Sequence, residues 1–128
     1  MKKHFYPAVF HAETEGYSVS FPDLSGCFTE GDTLDEAYEM ATEAIGLYVE
    51  NNSVFHFPQS SNPKNIKCGK DDFVVLIEFD ELEYRKKHDN RAVKKTLSVP
   101  SWLNAKAEEA GAPFSQILQE GLKNYLEL

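Results

Sequence analysis

The last 38 residues of the chain contain too little apolar material to bury a core alone. In Val93–Val99, apolar residues alternate with Lys and hydroxyl side chains, which is typical of a strand with one buried face. Pro100 and Pro113 each begin a segment with helical spacing, and Gly111 marks the end of the first segment. One strand and two short helices cannot form a stable domain of this size. The sequence therefore predicts that this β-α-α segment dimerises, with its strand paired to the strand of a second copy.

The first part of the chain has the signals of a small antiparallel sheet. Two runs rich in aromatic and β-branched residues, Phe5–His11 and Tyr17–Phe21, flank the polar loop at 13–16 and predict a hairpin. Pro22 ends the second strand because proline has no N–H to donate to a neighbouring strand. A short third strand is predicted at Cys27–Glu30, between two glycines.

A helix and a fourth strand follow. Thr33 and Glu36 have the spacing of a capping box, and 51–53 closes the predicted helix. Its predicted apolar face consists of Leu34, Ala37, Tyr38, Ala41, Ile45 and Tyr48. After a loop at 58–70, the apolar run Asp72–Phe79 predicts a central strand covered on one side by the helix. The first module is therefore β-β-β-α-β, and the expected fold class is α+β.

The two signs of charge are segregated along the chain, which carries a net charge of −8. Residues 4–63 contain no Lys or Arg, whereas ten carboxylates occur between Glu13 and Glu50. A basic cluster follows between Arg85 and Lys95, opposed only by Asp89. This asymmetry predicts two modules with different partners, at 1–84 and 91–128, joined by a linker at 85–90. The simpler interpretation is an acidic face that keeps the protein in solution.

Several classes of protein are disfavoured by the sequence. No apolar run approaches the eighteen or so residues of a membrane helix, and the first residues lack an apolar signal region, so a cytoplasmic protein is expected. Cys27 and Cys68 match no metal-binding spacing, and the four histidines lie near no cysteine pair. No phosphate-binding glycine loop is present. We therefore expect neither a metal nor a cofactor.

Two segments resemble a known family. The segment at 16–37, GYSVSFPDLSGCFTEGDTLDEA, is similar to the N-terminal part of HicB antitoxins. The segment VKKTLSVP at 93–100, with the two helical segments after it, resembles a ribbon-helix-helix DNA-binding module. The resemblance implies a partial ribonuclease-H-like domain that neutralises a HicA-type toxin, which is an mRNA-cleaving ribonuclease. It also implies a C-terminal module that represses the operon of the pair.

The charge of the first module agrees with such a partner. A protein that cleaves RNA has a basic surface for phosphates, and an acidic module is complementary to that surface. The candidate toxin contacts are the acidic residues at the predicted strand–helix junction, with two aromatic anchors: Asp23, Glu30, Asp32, Asp35, Glu36, Tyr17 and Phe28. Two of these have structural alternatives, because Glu36 can serve the helix cap and Tyr17 can belong to the core.

The candidate DNA contacts follow from the ribbon. A paired β-ribbon fits the major groove, where the outward side chains of Lys94, Thr96 and Ser98 can contact base edges. Arg91 and the helix start at Ser115 are candidate phosphate contacts. The predicted dimerisation core consists of Leu97, Val99, Ile117, Leu118, Leu122 and Tyr125. A helix-turn-helix at 104–122 is the alternative, but it assigns no role to the predicted strand at Val93–Val99.

Two other functions remain as alternatives. A metal-dependent nuclease would need several converging carboxylates, and Asp23, Asp32 and Asp35 are close in sequence. The predicted first strand has no carboxylate, however, and the family that the chain resembles is non-catalytic. The second alternative is a ribbon-helix-helix repressor that responds to a small effector. We expect a non-enzymatic antitoxin and repressor that is at least a dimer.

Overall fold

The structure, a computed structural model, describes residues 1–52 and 54–128. It divides into two compact units, Met1–Arg91 (unit 1) and Ala92–Leu128 (unit 2). In chain order, the elements of unit 1 are β1 (Lys3–Ala12), β2 (Tyr17–Ser20), β3 (Phe28–Gly31), α1 (Leu34–Val49), β4 (Glu50–Asn51), β5 (Val54–Phe55), β6 (Asp72–Asp80) and α2 (Glu81–His88). Unit 2 contains α3 (Ser101–Glu109) and α4 (Phe114–Leu126). The expected α+β class is confirmed.

Unit 1 is built on a four-stranded antiparallel sheet in the order β3-β2-β1-β6. The predicted hairpin and third strand are confirmed, with ends that differ by one or two residues. The prediction that 72–79 forms a central strand is wrong. Strand β1 is central, because it pairs with both β2 and β6, whereas β6 lies at the edge. The apolar composition of β6 reflects the packing of Val75, Ile77 and Phe79 in the core. The pairing of β6 with β1 runs from Lys3 opposite Asp80 to His11 opposite Asp72.

Helix α1 covers one face of this sheet. The sheet contributes Tyr6, Ala8 and Phe10 from β1, and the cross-strand register places Ile77 of β6 opposite Tyr6 on the same face. The helix contributes a buried stripe of mostly small side chains, Ala37, Ala41, Ile45 and Val49. Small residues along this stripe allow the helix axis to lie close to the sheet. The core of unit 1 is therefore the layer between the sheet and α1.

The predicted start of α1 is confirmed at its cap. The Thr33 hydroxyl accepts a hydrogen bond of 3.1 Å from the Glu36 amide. The Glu36 carboxylate accepts one of 3.3 Å from the Asp32 amide, one residue before the donor of a standard capping box. On the predicted apolar face, Leu34 and Tyr48 are 47% and 41% exposed, so these two lie outside the core.

Two short strands that the sequence did not predict, Glu50–Asn51 and Val54–Phe55, pair with each other. The predicted helix end at 51–53 includes residue 53, which lies outside the described residues. Glu50 pairs with Phe55, and Asn51 pairs with Val54. Each strand has only two residues, which is too short to show an alternating pattern. The predicted loop at 58–70 contains one short 3-10 turn at Pro63–Asn65. The Tyr6 hydroxyl donates a 2.5 Å hydrogen bond to the Pro58 carbonyl and holds the start of this loop against the core.

Helix α2 belongs to unit 1 and occupies most of the predicted linker. The Asp80 carboxylate caps it by accepting a 3.2 Å hydrogen bond from the Glu83 amide. Tyr84 is buried against α1 at Gly46, where a methyl group would lie 2.1 Å from the Tyr84 ring. Lys87 donates a 2.7 Å hydrogen bond to Glu43. The linker expected at 85–90 is therefore helical to His88, because these contacts fix α2 on α1.

Unit 2 has two helices and, within the single chain, no strand among its residues. The strand predicted at Val93–Val99 is not observed, because a strand needs a hydrogen-bonded neighbour and the described residues supply none there. The predicted glycine cap of α3 is confirmed. Gly111 has a φ of +66°, and the Ala112 amide donates to the Ala107 carbonyl at 2.9 Å, as in a Schellman cap.

Within the described part of the chain, no helix is long and apolar enough to cross a membrane.

The contact between Gly46 and Tyr84 predicts a strong response to one added methyl group. Gly46→Ala should destabilise unit 1 by about 1–3 kcal/mol, because a packed aromatic ring must shift. Urea denaturation measures this change. In a Tyr84→Ala background the same substitution should cost much less, because the ring is gone. Equal costs in both backgrounds would contradict the proposed packing of α2 on α1.

Candidate functional site

Four of the predicted toxin contacts lie on β3, the edge strand of the sheet, and at the start of α1. Phe28 and Glu30 are opposite Ser20 and Ser18, and this register places both side chains on the sheet face away from α1. Phe28 is 72% exposed, which is unusual for a phenylalanine. Asp32 and Asp35 follow at the start of α1 and are also exposed. We call Phe28, Glu30, Asp32 and Asp35 the β3-edge surface.

The chain reaches this surface through a close contact between β3 and α1. A Cβ at Gly31 would lie 2.4 Å from the Ala37 amide nitrogen, so only glycine fits there. A Cβ at Gly16 would lie 2.3 Å from the Gly31 carbonyl oxygen, and Gly16 has a φ of +81°. These two glycines fix the turn before β2 and the junction after β3. They thereby determine the position of Asp32, which directly follows Gly31.

The other three predicted toxin contacts have structural roles. One of them, Glu36, belongs to the cap of α1, where its carboxylate accepts from the Asp32 amide. Tyr17 lies on the α1 side of the sheet, opposite Ala12 and Gly31, and is only partly exposed. Its ring meets that of Phe73 edge-on at 5.9 Å. Asp23 accepts hydrogen bonds from the Ser61 amide at 2.8 Å and the Ser61 hydroxyl at 2.6 Å. Asp23 thus ties the loop at 58–70 to the turn between β2 and β3.

The negative charge of the protein belongs to unit 1. Nine basic and seventeen acidic side chains give unit 1 a net charge of −8, whereas unit 2 has four of each. The cations of α2 are already paired: Arg85 with Glu81 at 2.9 Å, Lys86 with Glu83 at 3.3 Å and Lys87 with Glu43 at 2.7 Å. The hydrogen bond from Lys87 lowers the pKa of Glu43. The basic cluster seen in the sequence therefore neutralises part of unit 1 itself.

The acidic charge that remains lies elsewhere on unit 1. The β3-edge surface and the outer side of α1 contain no Lys or Arg, because none occurs between residues 4 and 63.

Most of the predicted dimerisation core forms one apolar groove in unit 2. The groove is lined mainly by Leu97, Val99, Leu103, Phe114, Ile117 and Leu118. Leu122 and Tyr125 continue the same helical spacing along α4 and are 50% and 86% exposed. Among the residues of unit 2, none reaches full burial within the single chain. The apolar residues that would form a core in an independent domain are thus all accessible.

The candidate DNA contacts are distributed over both units. Lys94, Thr96 and Ser98 are exposed in the segment before α3, and Ser115 lies in the first turn of α4. Arg91 lies at the end of unit 1, where its guanidinium donates two hydrogen bonds of 2.9 Å to Asp89. This pairing lowers the pKa of the Asp89 carboxyl to about 2. Arg91 would have to exchange this carboxylate for a phosphate in order to contact DNA.

The carboxylates of unit 1 do not converge on a metal site. Among residues 1–52 and 54–128, no group of three or more His, Cys, Asp or Glu side chains is arranged to hold a metal ion. The nuclease alternative would make Asp23 a metal ligand, but its carboxylate accepts two hydrogen bonds from Ser61 instead. Cys27 is buried, and its burial raises the pKa of the thiol, which is the opposite of what a nucleophile needs.

One exposed feature was missed in the sequence. Met40, Leu47 and Tyr48 on α1 are 42%, 75% and 41% exposed. Together with Ala44 they have the i, i+4, i+7, i+8 spacing of a single helix face. The sequence spacing is sufficient to identify this second apolar face. It was overlooked because the same helix also carries the apolar residues that form the core.

Comparison with known proteins places both units in one family. A family model described as a HicB-like antitoxin of a bacterial toxin–antitoxin system matches residues 6–120. Antitoxin HicB 1 of Photorhabdus laumondii is 40% identical over 63 residues, which are 45% of this chain and 41% of that protein. An uncharacterised 14.9 kDa protein of Haemophilus phage HP1 is 49% identical over 45 residues, which are 35% of this chain and 34% of the phage protein. The chain thus spans well under half the length of these relatives.

A solved structure has the same fold over almost the whole chain. A chain of a toxin–antitoxin complex from Streptococcus pneumoniae superimposes with a TM-score of 0.59 and 26% identity. The match covers 96% of this chain and 99% of that chain, so both units have counterparts in it.

The bonds of Asp23 predict a local effect of its removal. Asp23→Ala should destabilise unit 1 by about 1 kcal/mol and increase hydrogen exchange at the Ser61 amide, because both bonds to that residue are lost. NMR-detected exchange with urea denaturation measures both effects. Ser61→Ala is the control, because it removes the hydroxyl bond and keeps the amide bond. Unchanged exchange in Asp23→Ala would contradict the tether.

Proposed function

Because the chain belongs to the HicB-like antitoxin family, we propose that it binds and neutralises a HicA-type toxin and represses its own operon by binding DNA. The toxin in this proposal is an mRNA-cleaving ribonuclease. The observation that carries the proposal is the family match over residues 6–120, which includes most of both units. Members of this family are antitoxins rather than enzymes, as expected from the sequence.

The two units divide these tasks. Unit 1 is the toxin-binding domain, and its antiparallel sheet with one covering helix supports a partial ribonuclease-H-like description. Unit 2 is the ribbon-helix-helix module that forms the dimer and contacts DNA. Since α2 is fixed on α1, the boundary between the two tasks lies near Arg91 rather than at residue 84.

The toxin binds at the β3-edge surface. This surface combines the exposed ring of Phe28 with the carboxylates of Glu30, Asp32 and Asp35. A protein that binds RNA presents cations and donors arranged for phosphates, and these carboxylates offer complementary acceptors. The ring provides apolar area at the centre of the contact, where binding energy usually concentrates. The net charge of −8 on unit 1 would also accelerate the encounter with a basic protein.

Unit 2 dimerises through its apolar groove. A second copy would pair its segment at 93–99 with the same segment of the first, in antiparallel orientation, and turn Leu97 and Val99 toward the α4 helices. This arrangement supplies the hydrogen-bonded neighbour that the segment lacks in the single chain. It also covers Ile117, Leu118 and Leu122, whose exposure is costly in an isolated unit. Higher oligomers remain compatible with this dimer.

The paired ribbon presents the residues that contact DNA. With Leu97 and Val99 turned inward, alternation turns Lys94, Thr96 and Ser98 outward on a two-stranded ribbon that fits the major groove. The first turn of α4 at Ser115 offers backbone N–H groups to a phosphate. Arg91 contributes a further phosphate contact once it leaves Asp89.

Co-expression tests the partnership directly. The chain is expressed with a HicA-type toxin, and only the antitoxin carries a purification tag. Co-purification of the untagged protein, together with rescue of cell growth, is expected. Growth arrest that the antitoxin does not relieve, with no co-purified protein, would refute the antitoxin role.

Charge reversal at the β3-edge surface should weaken toxin binding. Glu30→Lys with Asp32→Lys is expected to slow association by about tenfold at low salt, because the reversed charges repel a basic partner. Biolayer interferometry at two salt concentrations measures the rate. The matched control is Glu108→Lys with Glu109→Lys, which changes the net charge equally on exposed positions of α3 in unit 2. Equal slowing in both double variants would mean that only the net charge matters.

The ribbon predicts separate effects on DNA binding and on dimerisation. Thr96→Ala and Lys94→Ala should each weaken binding to the promoter DNA of the operon by about 1–3 kcal/mol, with the dimer intact. Leu97→Ala should destabilise the dimer by about 2–5 kcal/mol, as for a buried leucine. Fluorescence anisotropy and analytical ultracentrifugation measure the two quantities. Loss of DNA binding on changing Trp102, with Thr96→Ala silent, would favour the helix-turn-helix alternative.

A further inference from the structure

Helix α1 has a second apolar face that the fold of unit 1 leaves uncovered. Met40, Leu47 and Tyr48 are 42%, 75% and 41% exposed, and the half-buried Ala44 lies between them on the same face. We call these four residues the α1 seam. A helix that packs on one sheet normally carries polar residues on its remaining surface. Three large apolar side chains at helical spacing indicate that another molecule covers this face.

The other sides of α1 are already occupied. Its core stripe, which includes Ala41 and Ile45, packs on the sheet. On another side, Tyr84 of α2 packs at Gly46, while Lys87 and His88 pair with Glu43 at 2.7 and 2.9 Å. The α1 seam borders both sides, because Met40 lines a groove with Lys87 and His88 of α2, and Ala44 packs against the core. Met40, Leu47 and Tyr48 nevertheless remain 42%, 75% and 41% exposed. The seam is therefore available for a partner.

The charges beside the seam indicate the chemistry of that partner. Glu36 and Glu39 are exposed next to Met40. Lys87 of α2 lies near Glu39 but is already hydrogen-bonded to Glu43, and residues 4–63 contain no Lys or Arg. Glu50 follows at the far end of the helix. A second copy docked on the seam would bring equal sets of carboxylates together, which disfavours self-association. A positively charged surface with an apolar centre fits both features.

We propose that the α1 seam is a docking surface for the toxin, whose basic side would meet the carboxylates while an apolar ridge packs between Met40, Leu47 and Tyr48. This inference rests on the proposed function and extends its binding site. The seam begins one helical turn after Glu36, on the same helix whose first turn carries Asp35 of the β3-edge surface. The carboxylates set the rate of encounter, and the apolar side chains set the lifetime of the complex.

Polar substitutions on the seam test the proposal. Met40→Gln and Leu47→Gln keep the helix and the net charge, and both side chains are exposed in the free protein. Each should weaken binding of a purified HicA-type toxin that the wild-type chain neutralises by about tenfold or more, chiefly through faster dissociation. Leu76→Gln is the matched control, because Leu76 is 44% exposed on the sheet face opposite α1. Biolayer interferometry of the full-length proteins measures both rates.

A charge substitution tests the second element of the proposal. Glu39→Lys should slow association with the toxin several-fold at low salt and change dissociation little. Asp71→Lys is its control, since Asp71 is an exposed carboxylate beside β6, at the opposite edge of the sheet from β3.

The outcomes separate this inference from the function on which it rests. If the wild-type chain binds the toxin and the seam variants bind as tightly as Leu76→Gln, the seam proposal is overturned and the antitoxin role stands. If the wild-type chain does not bind, both fail. Analytical ultracentrifugation of the free chain tests whether a second copy of the chain, rather than the toxin, binds the α1 seam. A smaller oligomer in Leu47→Gln with unchanged toxin affinity would identify the seam as a contact between copies and overturn the proposal.

Discussion

The close packing of α1 on β3 is the contact on which the rest of unit 1 depends. Gly31 lies so near the Ala37 amide that no side chain fits between strand and helix, and Ala41 continues this close approach. Because the helix begins immediately after the strand, the contact fixes the direction of α1 across the sheet. It also determines that Asp32 and Asp35 follow directly after β3 at the exposed start of α1, and that Met40, Leu47 and Tyr48 of the α1 seam stay exposed.

Local signals predicted much of this architecture. The capping residue Thr33, the glycine cap at Gly111 and the β1–β2 hairpin each depend on residues within a few positions of one another, and all three are present. The strand order, by contrast, depends on the pairing of β1 with β6, whose partners are up to 77 positions apart. The apolar run of β6 indicates burial but does not distinguish a central strand from an edge strand.

The candidate site was predicted only in part for a similar reason. Five carboxylates and two aromatic residues were expected at the strand–helix junction, and four of these seven, Phe28, Glu30, Asp32 and Asp35, are exposed on β3 and at the start of α1. Tyr17 and Asp23 have the same residue types, but their roles depend on Phe73 and Ser61, which are distant in sequence. The basic cluster was misread because Arg85 and Lys86 pair with acidic residues just before the cluster, and Lys87 pairs with Glu43, 44 positions away. Residue type and spacing therefore indicate where the candidate surface lies. Contacts with residues distant in sequence determine which of its side chains remain available to a partner.

The charge distribution links the two units in the proposed function. Unit 2 has equal numbers of acidic and basic side chains, so its attraction for DNA would come from local cations such as Lys94 rather than from a net positive charge. Each unit 1 carries −8 and opposes the approach to a polyanion, while screening reaches about 10 Å at 0.1 M salt and relieves the repulsion only in part. A basic toxin bound to unit 1 would cancel much of this charge. Neutralising the toxin and approaching the operator would then be coupled by electrostatics alone, without any change in the conformation of either unit.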